Sequence, residues 1–307
     1  MMKNISTAHE LLDEPEADGA TIADALESNG VTTDVETIDG EDGQTDFITT
    51  RIPGNGSGPT LGIVGRLGGV GARPAQLGTV SDADGAIVAV ATALSLSEMY
   101  AKGDQLSGDV LISTHICPNA PTQPHEPVPF MGSPVDIETM NDHEIDDEMD
   151  AVLSVDATKG NRIHCSRGFA VTPTVKEGWI LRVSEDLLDV QERVTGEPPE
   201  TLTLTMQDIT PYGNDIHHIN SILQPATATD IPVTGVATTS TNPVAGSATG
   251  ANYLPELSAT TQFVVEAAKD YTGERLSFYD DEEFDRLIAL YGSMSKLQTI
   301  PTIERVR

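Results

Sequence analysis

The residues of this chain best suited to chemistry follow short apolar runs. Arg66 comes directly after Leu61-Gly62-Ile63-Val64-Gly65, with Arg73 seven positions on. His115 and Cys117 close the stretch that begins DVLIST, and Asp156, Lys159 and Asn161 follow Ala151–Val155. Gln207 with Asp208, and then Thr238–Ser240, follow two later runs. In an open parallel sheet ligands bind beyond the carboxyl ends of the strands, so side chains placed this way are expected to converge on one rim. Three chemistries are then open. Asp84 and Asp156, with nitrogen from His115 or His125, are donors for a divalent metal such as zinc. Arg66 and Arg73, with Lys159 and Asn161, would hold a substrate carboxylate, because a guanidinium matches it with two parallel hydrogen bonds. His115, Cys117 and His164 offer a Cys/His dyad in which imidazole draws the thiol toward thiolate.

Each has a plainer reading. Free cysteines are commonly packed and inert, and no CxxC or HxxxH spacing makes a zinc finger here. In Ser81-Asp82-Ala83-Asp84-Gly85 one aspartate is expected to cap a helix, which leaves the other for a cation. The acidic run Asp142–Glu148 reads as a solvated face. Gly68–Gly71 lacks both the GxGxxG spacing and a GK[ST], so no dinucleotide or phosphate loop is expected.

These positions need a sheet to hold them. Strands are expected at 61–64, 109–114, 151–155, 179–183, 201–206 and 231–237, with a further alternating strand at 45–52. Helices are expected from Asp84 to Gly103, over 185–194, 215–223, 254–271 and 281–291, with two shorter ones before residue 29. The alternation implies an α/β fold, a mostly parallel sheet covered by helices on both faces, in three αβα layers. Residues 1–50 read as an accessory N-terminal segment and 51–307 as a single domain. The Pro-rich stretch 118–135 is a candidate interface for a homo-oligomer.

Composition narrows the class. The 307 residues carry 48 Asp or Glu against 17 Lys or Arg, a net charge of −31. Such a surface repels phosphates and anionic lipid, so neither nucleic acid nor a membrane is an expected partner. No apolar run reaches the roughly 18 residues that span a bilayer, and the start lacks a secretory signal, so a cytoplasmic location is expected. The acidity resembles that of proteins from salt-loving archaea. At molar salt the Debye length falls to about 3 Å and like charges stop repelling across the surface.

Longer motifs carry a resemblance. GRLGGVGARP, SDADGA, THICPNAPT, PVPFMGSPVD, DATKGNRIHC, PTVKEGWILRVSEDLL, QDITPYGNDIHHINSILQPATAT and ATGANYLPE resemble an uncharacterised family, domain of unknown function 1177, over nearly the whole chain. More distantly the chain resembles zinc aminopeptidases of the glutamyl and deblocking type. That resemblance implies the three-layer fold, with Asp84 in the position that bridges two metals and Asp156 as the later aspartate. It departs where Arg66 stands near the first His ligand, where Ile116-Cys117-Pro118 replaces a Glu-Glu pair, and where no His follows the last strand. The expected function is a hydrolase-like enzyme acting on a small amide, peptide or amino-acid derivative. The alternatives are a small-anion-binding protein on a degenerate peptidase fold and a structural oligomer.

Overall fold

A computed structural model describes residues 1–300. Its centre is an eight-stranded mixed sheet, mostly parallel in the middle, in the order β1 (Thr32–Gly40), β2 (Gly43–Ile52), β6 (Val110–Ile116), β3 (Leu61–Gly65), β9 (Ala151–Ala157), β12 (Val233–Thr239), β10 (Gly168–Lys176) and β11 (Trp179–Ile180). The four central strands β6-β3-β9-β12 run parallel, and antiparallel pairs extend the sheet at both edges. Two small hairpins, β4–β5 (Gly71–Ala72 and Gln76–Thr79) and β7–β8 (Thr122–Gln123 and Phe130–Met131), lie outside it.

Burial explains the apolar runs. Every residue of β3, β6 and β12 is buried, as expected for strands covered on both faces. On one face lie α1 (Met2–Asp13), α2 (Gly19–Glu27), α3 (Asp84–Ala101), α5 (Glu185–Thr195) and α6 (Leu254–Thr272), sharing one core that includes Ile5, Ile22, Ile87, Leu187 and Phe263. Helix α3 is buried almost all round because it is sandwiched between sheet and outer helices. The other face is covered by α4 (Ile137–Glu144) and by the irregular segment 197–232, whose Leu202, Ile209, Ile222 and Leu223 pack on Val64 and Val152. Helix α7 (Asp281–Tyr291) and a short 3-10 turn at Ser295–Leu297 follow near the end of the described residues.

Local signals account for most helix ends. Ser184 accepts from the Leu187 N–H to start α5, and Gly196, at φ +70°, ends it. Asp136 and Asp280 cap α4 and α7 in the same way. The expectation for α3 fails, since no side chain caps it and Asp84 is instead its first residue.

Several assignments from the sequence are corrected, and β1, β10 and α4 are elements that it does not predict. Strand β1 was hidden because it is an acidic edge strand with mostly exposed residues. Residues 201–206 make only an isolated bridge from Thr201 to Val171, and 215–223 form no helix. The reason is Asp208, fully buried, whose carboxylate takes the backbone N–H groups of Thr205, Ile219 and Asn220 that a regular element would use.

The chain leaves β3 in one direction, through α3 to β6, and then returns past β3 to β9. That reversal is the switch point where crevices form in α/β sheets. Two glycines bring α3 close to it. A Cβ on Gly85 would lie 2.6 Å from the carbonyl oxygens of Arg66 and Val155, and one on Gly65 would lie 2.5 Å from the Gly85 oxygen. The start of α3 is therefore seated directly on the ends of β3 and β9.

Candidate functional site

Two buried ion pairs form at this rim. In the first, Arg66, fully buried, donates from Nη1 to Glu144 Oε2 at 2.5 Å and to Asn141 Oδ1 at 3.2 Å. Glu144 Oε1 lies 2.7 Å from His115 Nδ1, and the His115 ring leans on Phe47. Burial would raise the Glu144 carboxyl, but the Arg66 charge and the hydrogen bonds from His115 and Arg66 outweigh it and hold the carboxyl below its ordinary range. Arg66 Nε has no partner among the described residues.

In the second pair Lys159 Nζ donates to Asp84 Oδ2 and, at 2.9 Å, to the Ala251 carbonyl. Thr238 Oγ1 donates to the same Asp84 oxygen at 2.8 Å, and Asn252 Nδ2 donates to the other at 2.7 Å. The Lys159 backbone sits at φ +52°, uncommon for a long side chain.

Between the pairs stand two carboxyls of a different kind. Asp156, buried at the end of β9, accepts from Ser221 Oγ at 2.5 Å and from the Ala157 N–H at 2.7 Å. Burial outweighs these bonds and the Arg66 charge, and pushes the carboxyl up from 3.8 to about 6. Asp82, only partly exposed, is raised well above the ordinary carboxylate range, first by burial and then by the charges of Asp156 and Asp84, with Lys159 opposing. The Tyr212 hydroxyl is pushed to about 12 by burial and by Asp156, and its ring stacks on His218.

Asp84, His115, Asp156 and Lys159 are thus gathered at the strand ends, together with Arg66 and Thr238. Other candidates fall elsewhere. His125 is exposed in the 118–135 loop, with Nδ1 3.0 Å from the Val128 carbonyl. It does not join Asp84 and Asp156, and among the described residues no group of three or more His, Cys, Asp or Glu is arranged to hold a metal ion.

The Cys/His dyad does not assemble. Cys117 follows β6 and His164 precedes β10, four strand spacings apart, or roughly 19 Å at ~4.8 Å each. Cys117 is buried, its thiol is pushed up chiefly by burial, and it donates to Asn119 Oδ1. His164 Nε2 lies 2.6 Å from Ser166 Oγ.

The substrate-carboxylate set is also taken up by the protein itself. Arg73 donates to the carbonyls of Asp13 and Pro118, tying α1 to the loop after β6, and Arg66 and Lys159 have their own carboxylates. Exposed Asn161 accepts from the N–H groups of Ile163 and His164 in a local turn.

Ser221, Tyr212 and Asn252 are not singled out by the sequence, which leaves Asp82 open between helix cap and cation ligand and reads Glu144 as part of a solvated face. Glu144 lay concealed in an acidic run. Its signal was its place at the end of a capped helix that returns toward β6. Two concavities are lined by none of the charged residues of this rim. One of about 700 Å³ is lined by Trp179, Val183, Tyr279, Phe284 and Tyr291 among others, and one of about 320 Å³ lies at β1–β2 beside His143.

The arrangement defines a zinc-exopeptidase-like α/β fold whose rim carries carboxyls paired with side-chain cations. Similar solved structures include the Legionella pneumophila LapA aminopeptidase, 12% identical with a TM-score of 0.50 over 89% of this chain and 71% of that one. The Macrostomum lignano glutaminyl cyclase is 11% identical with a TM-score of 0.50 over 90% of each chain. A Zn-dependent exopeptidase from Parabacteroides distasonis is 10% identical with a TM-score of 0.48 over 88% of this chain and 96% of that one. No curated protein matches. Residues 36–301 match the family DUF1177, described as a protein of unknown function, and the chain belongs to that family. Among the described residues no helix is long and apolar enough to cross a membrane.

Proposed function

We propose that this chain is a hydrolase-like enzyme acting on a small amide, peptide or amino-acid derivative at the rim where β3, β6 and β9 end. One observation carries the reading. Asp156 and Asp82 are two interacting carboxyls whose surroundings push both up at the switch point of the sheet. Such pairs divide acid and base work near neutral pH. With its carboxyl at about 6, Asp156 is mainly ionised at pH 7 and takes the proton of an attacking water. Asp82, its carboxyl raised by burial and by the charges of Asp156 and Asp84, is the second carboxyl of the pair and takes the role of proton donor to the leaving amine. Tyr212, protonated throughout this range, supplies a hydroxyl donor beside them.

Zinc chemistry is a poorer fit to the side chains present. Both Asp84 oxygens already accept from protein donors, as do both Asp156 oxygens, and the histidine nearest the rim is committed to Glu144. The test is turnover of a panel of dipeptides and amino-acid amides by wild type and Asp156→Asn. Turnover by wild type that falls at least about 100-fold in the variant is expected, the usual scale for a lost acid–base group. Turnover unaffected by the substitution would move the chemistry elsewhere, and none on any substrate would reject the hydrolase reading.

A further inference from the structure

We propose that Lys159 is a built-in cation standing where a divalent metal would otherwise sit against Asp84, so that this carboxylate is balanced by side-chain charge alone. The proposal rests on the preceding reading for the place of the chemistry, but its test does not use turnover.

The position of the ammonium is over-determined. Lys159 is 6% exposed, its backbone N–H donates to the Thr238 carbonyl at 2.7 Å, and Nζ sits 5.6 Å from the centre of the Tyr253 ring. The next residue, Gly160, donates to Ser240 Oγ at 2.8 Å, and a Cβ there would meet the Ser240 and Asn242 oxygens. The loop is therefore clamped over the end of β12, with Lys159 in the left-handed region that its side chain disfavours. Backbone held against local preference in this way clusters at functional positions.

Around Nζ are Asp84 Oδ2 and the Ala251 carbonyl, with Thr238 Oγ1 on the same carboxylate oxygen. These are hard oxygen donors contributed by the start of α3, the end of β12 and the 251–253 loop. They suit manganese or magnesium better than zinc. The charge count agrees. Two of the buried carboxylates at the rim each have their own buried cation, Glu144 with Arg66 and Asp84 with Lys159, while Asp156 is held by the Ser221 hydroxyl and the Ala157 N–H. At Asp84 itself the ammonium already supplies the neutralising charge, and a divalent ion would have to displace it. Removing the ammonium leaves the Asp84 carboxylate buried and unpaired, with Asp82 beside it, and so creates the demand for a cation.

The experiment measures Mn²⁺ binding by equilibrium dialysis to the full chain as wild type, Asp84→Asn, Lys159→Ala, and Lys159→Ala combined with Asp84→Asn. Comparison with wild type cancels binding by the acidic surface. The expected result is one additional Mn²⁺ per chain in Lys159→Ala, lost again in the double variant, with Mn²⁺ raising the Tm of Lys159→Ala alone. A folded Lys159→Ala without the additional equivalent overturns the proposal. So does a wild type that already holds one Mn²⁺ removable by Asp84→Asn. Should Lys159→Ala fold only when Mn²⁺ is added, the proposal stands. Failure to fold with the ion as well as without it overturns it. Loss of amide turnover in every protein would count against the hydrolase reading and leave this result untouched.

Discussion

The two ion pairs at the rim differ in what surrounds them. Arg66–Glu144 is sealed: neither side chain has measurable exposure, and Asn141, Met140 and His115 close around it. Lys159–Asp84 keeps slight exposure at its lysine, and its partners Thr238, Ala251 and Asn252 come from a strand end and a loop. The first fastens α4 to the ends of β3 and β6. The second stands beside Asp82 and sets the field in which that carboxyl titrates. Two buried ion pairs of similar chemistry therefore do different work, one holding elements together and one shaping a reactive neighbourhood.

The difference can be tested from its largest effect downward. Glu144→Gln leaves Arg66 charged and unpaired in a sealed site and should cost about 3–5 kcal/mol in chemical denaturation. Because the folded Glu144 carboxyl is depressed below 4.5, its contribution is present above that pH and lost as pH falls through the folded value. A Glu144→Gln protein as stable as wild type at pH 7 would show that the pair is not a brace.

Asp156 has the opposite sign. Its folded carboxyl is raised, so its contribution is present below pH 3.8 and lost as pH rises through about 6. Asp156→Asn should therefore be more stable than wild type at pH 8 by about 2–3 kcal/mol, since each tenfold change in proton affinity is worth ~1.36 kcal/mol. That advantage should vanish near pH 3.5, as followed by Tm across the range. An advantage independent of pH would argue against a perturbed carboxyl.

Double-mutant cycles separate the pairs further. Asp84→Asn with Lys159→Met should show a coupling of about 1–3 kcal/mol, since each single change strands its partner. The smallest effect is expected in the concavity of about 700 Å³. Tyr291→Ala, at an exposed position there, should change stability by less than about 0.5 kcal/mol and leave amide turnover as it was. A loss of turnover would relocate the chemistry to that groove.

Much of this architecture was readable in the residues. Strand β3 shows as an unbroken apolar run, β6 opens on one, and α5 announces both ends through Ser184 and Gly196. The rule that ligands bind beyond strand ends puts Asp156, Lys159 and Thr238 at one rim, where the fold has them. What it could not supply was pairing. Arg66 reads as a free guanidinium until α4 folds back and presents Glu144, a residue 78 positions away. Arg73 reads the same way until α1 offers the Asp13 carbonyl. The aspartates of SDADG look alike in sequence. Only the seating of α3 on Gly65 and Gly85 satisfies Asp84 and leaves Asp82 to be raised by its neighbours.

The central claim is that the rim holds a carboxyl titrating near neutral pH, and direct titration of that group tests it best. With carboxyl-¹³C aspartate incorporated, one resonance of the wild-type protein should titrate with a midpoint near 6 and be missing from Asp156→Asn. A spectrum in which the Asp156 resonance titrates in the ordinary aspartate range, near 3.8, would contradict the account.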